Sequence, residues 1–178
     1  MTVVLVMFFC MNVKAFDPEA PLGERRVIIR RNGSDVEMVA LPWGLQPPAG
    51  DSRPFTLVRA EGRCVSSHRC LVPASELLHR TNGKLFGVTL ADGDWFYFAA
   101  VWRPAKDNWP EAYAILTMPA NADTAPYMER QMAVLRRDLR LDWLDATVPV
   151  GELLRPPPAG TFRVRRLQGV QDHPAFAF

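Results

Sequence analysis

The chain has 178 residues, 48% hydrophobic and 22% charged, a composition suited to a globular core and unlike a disordered or fibrous chain. Twenty-one Lys and Arg against nineteen Asp and Glu leave a formal net charge of +2, so no global field dictates a nucleic-acid or membrane partner. Any basic surface has to be local. Arginine outnumbers lysine, which suits forked contacts to phosphate, although a GC-rich coding bias accounts for the same preference.

Residues 3–11 form an apolar run followed by Val13-Lys14-Ala15, a pattern superficially like an export signal. No positive charge precedes it, and it falls well short of the ~20 residues that a spanning helix needs. Its start, Val3-Val4-Leu5-Val6, reads as a buried strand, and residues 1–16 as a whole are an apolar segment of unassigned position. The three cysteines, Cys10, Cys64 and Cys70, are odd in number and lack a disulfide-framework spacing. Reduced thiols and a cytoplasmic location are expected from that usage. Cys64, His68 and Cys70 match none of the usual zinc patterns, so no metal site and no cofactor are expected.

Sixteen prolines and eleven glycines break the chain into short segments, which favours a mostly β (α+β) fold within one domain over 1–178. Residues 27–30 and 36–41 read as a hairpin about Asn32-Gly33. A short extended piece covers 57–60. Residues 70–72 and 77–78 flank Pro73, which a strand tolerates only at an edge or a bulge. Runs 84–90 and 95–102 are β-rich, and Asp92-Gly93-Asp94 between them predicts a second hairpin turn. Residues 112–118 alternate toward another strand. Helix is confined to the C-terminal part: 136–145 brings Leu139, Trp143 and Leu144 to one face, and 150–154 forms a short second helix that Pro156-Pro157-Pro158 ends. Residues 161–167 return as a strand, and 172–178 read as a loosely docked tail.

Taken in order, these segments resemble one family. Met38-Val39-Ala40-Leu41-Pro42-Trp43-Gly44-Leu45 is similar to an apolar strand ending in Trp-Gly-Leu, and 55–62 to a Phe-Asn-x-Arg-x-Glu-Gly segment. Arg69-Cys70-Leu71-Val72-Pro73-Ala74-Ser75, Phe98-Ala99-Ala100-Val101-Trp102, Ile115-Leu116-Thr117-Met118-Pro119-Ala120-Asn121 and Ala125-Pro126-Tyr127 follow in matching order, with Trp143-Leu144 and Leu153-Leu154-Arg155-Pro156 after them. The chain thereby resembles the SOS-response-associated peptidase (SRAP) family over residues 38–167. The resemblance implies a twisted sheet or barrel with few helices and a basic groove for single-stranded DNA. It also implies covalent capture of abasic sites by an N-terminal cysteine, whose amine and thiol close a ring on the sugar aldehyde.

Residue by residue the chain departs from that chemistry. Thr2 follows Met1 where the family has its cysteine. The family asparagine falls at Leu57, with Thr56 the nearest polar neighbour; the family glutamate falls at His79 and the family histidine at Met128. What remains for DNA is Arg59, Glu61 and Arg130, with Trp43 as a candidate stacking platform. The competing readings are a salt bridge between Arg59 and Glu61, a packing role for Trp43, and an inert substitution at His79. Cys10 is a poor substitute nucleophile, because no alternative initiator exposes it at the chain end.

A catalytically degenerate, monomeric protein that binds single-stranded DNA is the expectation, with no membrane partner. Two alternatives stand beside it: an enzyme using the Thr2 amine for Schiff-base chemistry, and an interaction module without DNA. Leu57, His79 and Met128 are expected to gather around one concavity with Arg59, since the corresponding family positions converge there.

Overall fold

The computed structural model describes residues 13–47, 53–61 and 67–168. Thr2, Cys10, Cys64, the 3–6 strand and the 172–178 tail therefore lie outside the described residues. The fold is mostly β: β1 (Arg25–Asn32), β2 (Asp35–Pro42), β3 (Leu57–Arg59), β4 (Arg69–Ala74), β5 (Leu77–Thr81), β6 (Lys84–Leu90), β7 (Phe96–Arg103), β8 (Ala112–Pro119), β9 (Arg130–Met132) and β10 (Phe162–Leu167). A 3-10 turn at Arg137–Leu139 leads into α1 (Arg140–Asp145), and α2 (Val150–Leu153) follows. Helix is thus short and C-terminal, as composition and punctuation predict.

Seven strands form one open sheet in the order β2-β1-β4-β7-β8-β3, with β9 on β8; β10-β6-β5 form a second sheet. Burial explains how they stack. Every residue of β4 is buried, because this central strand is covered on both faces. Cys70, Val72 and Ala74 point to a core shared with Phe16, Leu77, Val88 and Phe162 near or within the smaller sheet. Leu71 points the other way, to a core with Trp143 and Leu144 of α1 and Leu153 of α2. The large sheet is therefore the middle layer between the small sheet and the helices. The Trp143 indole N–H donates to Cys70 O at 2.9 Å, which fixes α1 on β4.

Pro73 satisfies its own constraint. The β1–β4 ladder comprises only Ile29↔Leu71 and Arg30↔Cys70, whereas Pro73 pairs with Tyr97 on the β7 side. It sits where β4 has a single strand neighbour, so its missing N–H breaks no ladder.

Turns account for the main departures from expectation. The β1–β2 hairpin turns at Gly33-Ser34, one residue later than Asn32-Gly33, because Asn32 still pairs with Asp35. Gly33 takes φ +61° there, a left-handed conformation that glycine adopts without a Cβ penalty. Asp92-Gly93-Asp94 does turn the chain, but it joins no hairpin. β6 pairs with β5 and β10, whereas β7 pairs with β4 and β8, so this turn carries the chain from one sheet to the other. The hairpin lies at Asn82-Gly83 instead, with φ of 49° and 68° and Thr81 paired to Lys84, the geometry that favours Asn-Gly in a two-residue loop.

Candidate functional site

β8 changes partners along its length. Ala112 to Ile115 pair with β7, whereas Thr117, Met118 and Pro119 pair with Met132, Gln131 and Arg130 of β9. The segment following β9 inserts between β7 and β8: Ala99 N–H donates to Ala133 O at 2.7 Å, and Ala133 N–H to Leu116 O at 2.8 Å. Beside this junction lies a cavity of about 270 Å³ between β3, β5, β8 and β9. Leu57, His79, Met128 and Arg130 all line it, although 73 residues separate the first from the last.

Each of these side chains is held differently. Leu57 lies on the edge strand β3, which pairs in parallel with β8, and stays 42% exposed. His79 stands opposite Phe86 in the β5–β6 ladder, and its Nε2 is 2.9 Å from Tyr127 O. A carbonyl only accepts, so Nε2 carries the proton and Nδ1 is the acceptor of the neutral ring. Met128 ends the turn that follows β8, with its N–H donating to Thr124 O at 3.0 Å, and is buried against the core. Arg130 donates from Nε to Thr117 Oγ1 at 3.2 Å and from Nη2 to Thr117 O at 2.8 Å. The same Nη2 reaches Glu61 Oε2 at 2.7 Å.

Arg59 is outside the lining, but it shares an exposed face of β3 with Leu57, two residues away. Its charge acts on Glu61: the hydrogen bond from Arg130 holds that carboxyl below its usual range, and the Arg130 and Arg59 charges add to the effect. Glu61 therefore feels two guanidinium charges, and its direct ion pair is with Arg130. Trp43 is a correction. It is 3% exposed, packs edge-on against Phe16 and donates from its indole to Thr56 O at 3.0 Å. With both faces in the core, it offers no platform to a base.

Sequence reasoning passed over Gln131, a cavity-lining residue only 3% exposed. Its Oε1 accepts from Asn121 N–H at 2.9 Å and from Thr124 Oγ1 at 2.6 Å. Asn121 N–H can only donate, which fixes the carboxamide orientation and leaves Nε2 a buried donor with no acceptor. The Asn121-Ala122-Asp123-Thr124 run carries a readable turn signal. Asp123 ties that turn to the small sheet by accepting from Gly160 N–H at 2.8 Å and Phe162 N–H at 3.0 Å.

The cavity's lining contains Thr117 and His79 but neither cysteine nor lysine among the described residues. Cys70 is fully buried in the core, where desolvation pushes its thiol pKa far up and holds it protonated. No group of three or more potential metal ligands occurs among the described residues.

The arrangement is that of a β-layered protein with a half-apolar cavity at a sheet junction, bordered by arginines. The chain belongs to the SRAP family: the family model for SOS response associated peptidase (SRAP) matches residues 19–170. Two crystal structures share the fold. A protein from Bordetella bronchiseptica superposes with a TM-score of 0.66 at 21% identity, covering 86% of this chain and 91% of that one. A protein from Bacteroides thetaiotaomicron gives a TM-score of 0.66 at 18% identity, with 82% and 75% covered. No curated protein matches the chain.

Proposed function

We propose that this SRAP-family chain binds single-stranded DNA in a DNA-damage setting without forming the covalent link to abasic sites that the family chemistry implies. The observation that carries this reading is the cavity itself. The positions corresponding to the family's catalytic asparagine, glutamate and histidine hold Leu57, His79 and Met128, and these three share one lining. Leucine and methionine can neither orient a sugar hydroxyl nor move a proton, and general acid–base help is worth about 10²–10⁴ in rate. Arg130 at the cavity and Arg59 beside it retain what phosphate contact requires, a fixed cation with several N–H donors. The protein on this reading is a cytoplasmic monomer. No helix among the described residues is long and apolar enough to cross a membrane.

The test is fluorescence anisotropy with a single-stranded oligonucleotide over a salt series. Each phosphate contact on a single strand contributes about −0.7 to the slope of log K against log salt. Arg59→Ala is expected to weaken binding and to make that slope shallower by roughly one contact. Binding that is absent at low salt, or unaffected by salt, contradicts the reading.

A further inference from the structure

We propose that the cavity holds a single unstacked nucleobase of a bound strand, so that this chain selects intact single-stranded DNA over strand lacking bases. The inference rests on the DNA-binding reading above and deepens it. At about 270 Å³ the cavity falls just below the usual range of ligand pockets, about 300–1,000 Å³, and suits one ring system better than a larger ligand.

Its chemistry divides in two. Leu57, Met128 and Met132 supply apolar and polarisable surface, which suits the face of a flat ring and gives a sugar hydroxyl nothing to bond. Two residues with polar ends share the lining, Gln131 and His79. Gln131 Nε2 is a buried N–H donor with no acceptor, an unpaired state that a ligand atom reaching it would relieve. His79 commits Nε2 to Tyr127 O, leaving Nδ1 as the acceptor of the neutral ring. A base edge carries both complements, a carbonyl or ring nitrogen to accept and an imino or amino N–H to donate. Arg130 also lines the cavity and places a cation beside it for the phosphate of the same nucleotide. Exchange of polar sugar-handling groups for leucine and methionine thus has a positive consequence as well as a loss, because it turns the site from the sugar toward the base.

The experiment compares thymidine pentamer with a pentamer of equal charge built from tetrahydrofuran abasic units, each competing against a labelled strand. Taking one base face out of water against leucine and methionine, on the order of 40–100 Å² at about 25 cal/mol per Å², is expected to make the thymidine strand bind about 5–70-fold more tightly. Leu57→Trp, on an exposed edge strand where a larger ring is tolerated, fills the cavity mouth and is expected to erase that difference. Gln131→Leu is expected to reduce it, with circular dichroism used to verify the fold. Equal binding of the two wild-type complexes, or tighter binding of the baseless strand, overturns the base pocket while leaving DNA binding intact. Binding of neither strand overturns the DNA reading and the pocket with it.

Discussion

Arg130 Nη2 holds Glu61 Oε2 at 2.7 Å, while the backbone carbonyl of Thr117 accepts from the same nitrogen at 2.8 Å. The carboxylate thus occupies the position on the guanidinium that a strand phosphate would take. Removing its charge removes the competitor. Glu61→Gln is expected to raise affinity for single-stranded DNA several-fold at low salt, with the gain shrinking as salt is added, because screening weakens interactions between exposed charges. Unchanged or weaker binding in anisotropy would show that Arg130 does not meet phosphate.

The sign of the pH effect follows from the same pair. Arg130, with Arg59 behind it, holds the Glu61 carboxyl below its ordinary value of 4.5. Glu61 therefore remains charged, and competes with phosphate, at every pH above that value. Affinity of the wild type should show no rise attributable to Glu61 as pH falls from 7 to 5. A rise in that window that Glu61→Gln abolishes would contradict the assignment.

Glu76 and Gly87 are coupled by space. A Cβ on Gly87 would lie 2.0 Å from Glu76 Oε1, and that carboxylate pairs with Arg165 at 3.0 Å, the residue opposite Gly87 in the β6–β10 ladder. Gly87→Ala has to displace the carboxylate, at a cost of about 1 kcal/mol or somewhat more. That corresponds to a melting temperature lower by about 2–4 °C for a domain of this size. In a Glu76→Ala background the same change should cost less, because the clash is gone. A double-mutant cycle with additive terms would refute the contact.

Asp123 joins the turn that carries Tyr127 and Met128 to the small sheet. The backbone N–H groups of Gly160 and Phe162 hold its carboxyl below the ordinary value of 3.8. A depressed folded-state pKa contributes stability that is present above the ordinary value and lost as pH falls through the folded one. Asp123→Ala is expected to cost about 1–3 kcal/mol at pH 7. Urea denaturation should show the gap to wild type narrowing below pH 3.8, the ordinary value of this carboxyl, and a gap constant with pH would refute the role.

The strands were legible because their signals are local. Cys70, Leu71 and Val72 form a continuous apolar run that only a strand covered on both faces requires, and β4 is that strand. Partner choice is not local, so Asp92-Gly93-Asp94 carries a hairpin signal although it crosses between sheets, and the two-residue hairpin sits at Asn82-Gly83. Motif order singles out Leu57, His79 and Met128, and these three line one cavity, a proximity that their distance along the chain does not reveal. Trp43 failed for a simple reason: its indole N–H found Thr56 O inside the core, and sequence does not tell a buried tryptophan from a presented one. Gln131 was hidden because its importance lies in a hydrogen bond it lacks, which only the arrangement of Asn121 and Thr124 around it reveals.

Loss of covalent capture is measured by incubating the protein with single-stranded DNA bearing one abasic site and resolving the mixture on a denaturing gel, with and without borohydride. A durable adduct needs an amine, a thiol to close the ring and aligned proton-transfer groups. With Leu57 and Met128 in the cavity, no shifted band is expected without reductant. A band only with borohydride would reveal a transient Schiff base and leave the stable trap lost. A reductant-independent band that Thr2→Ala abolishes would contradict the account and make this chain an active crosslinking enzyme.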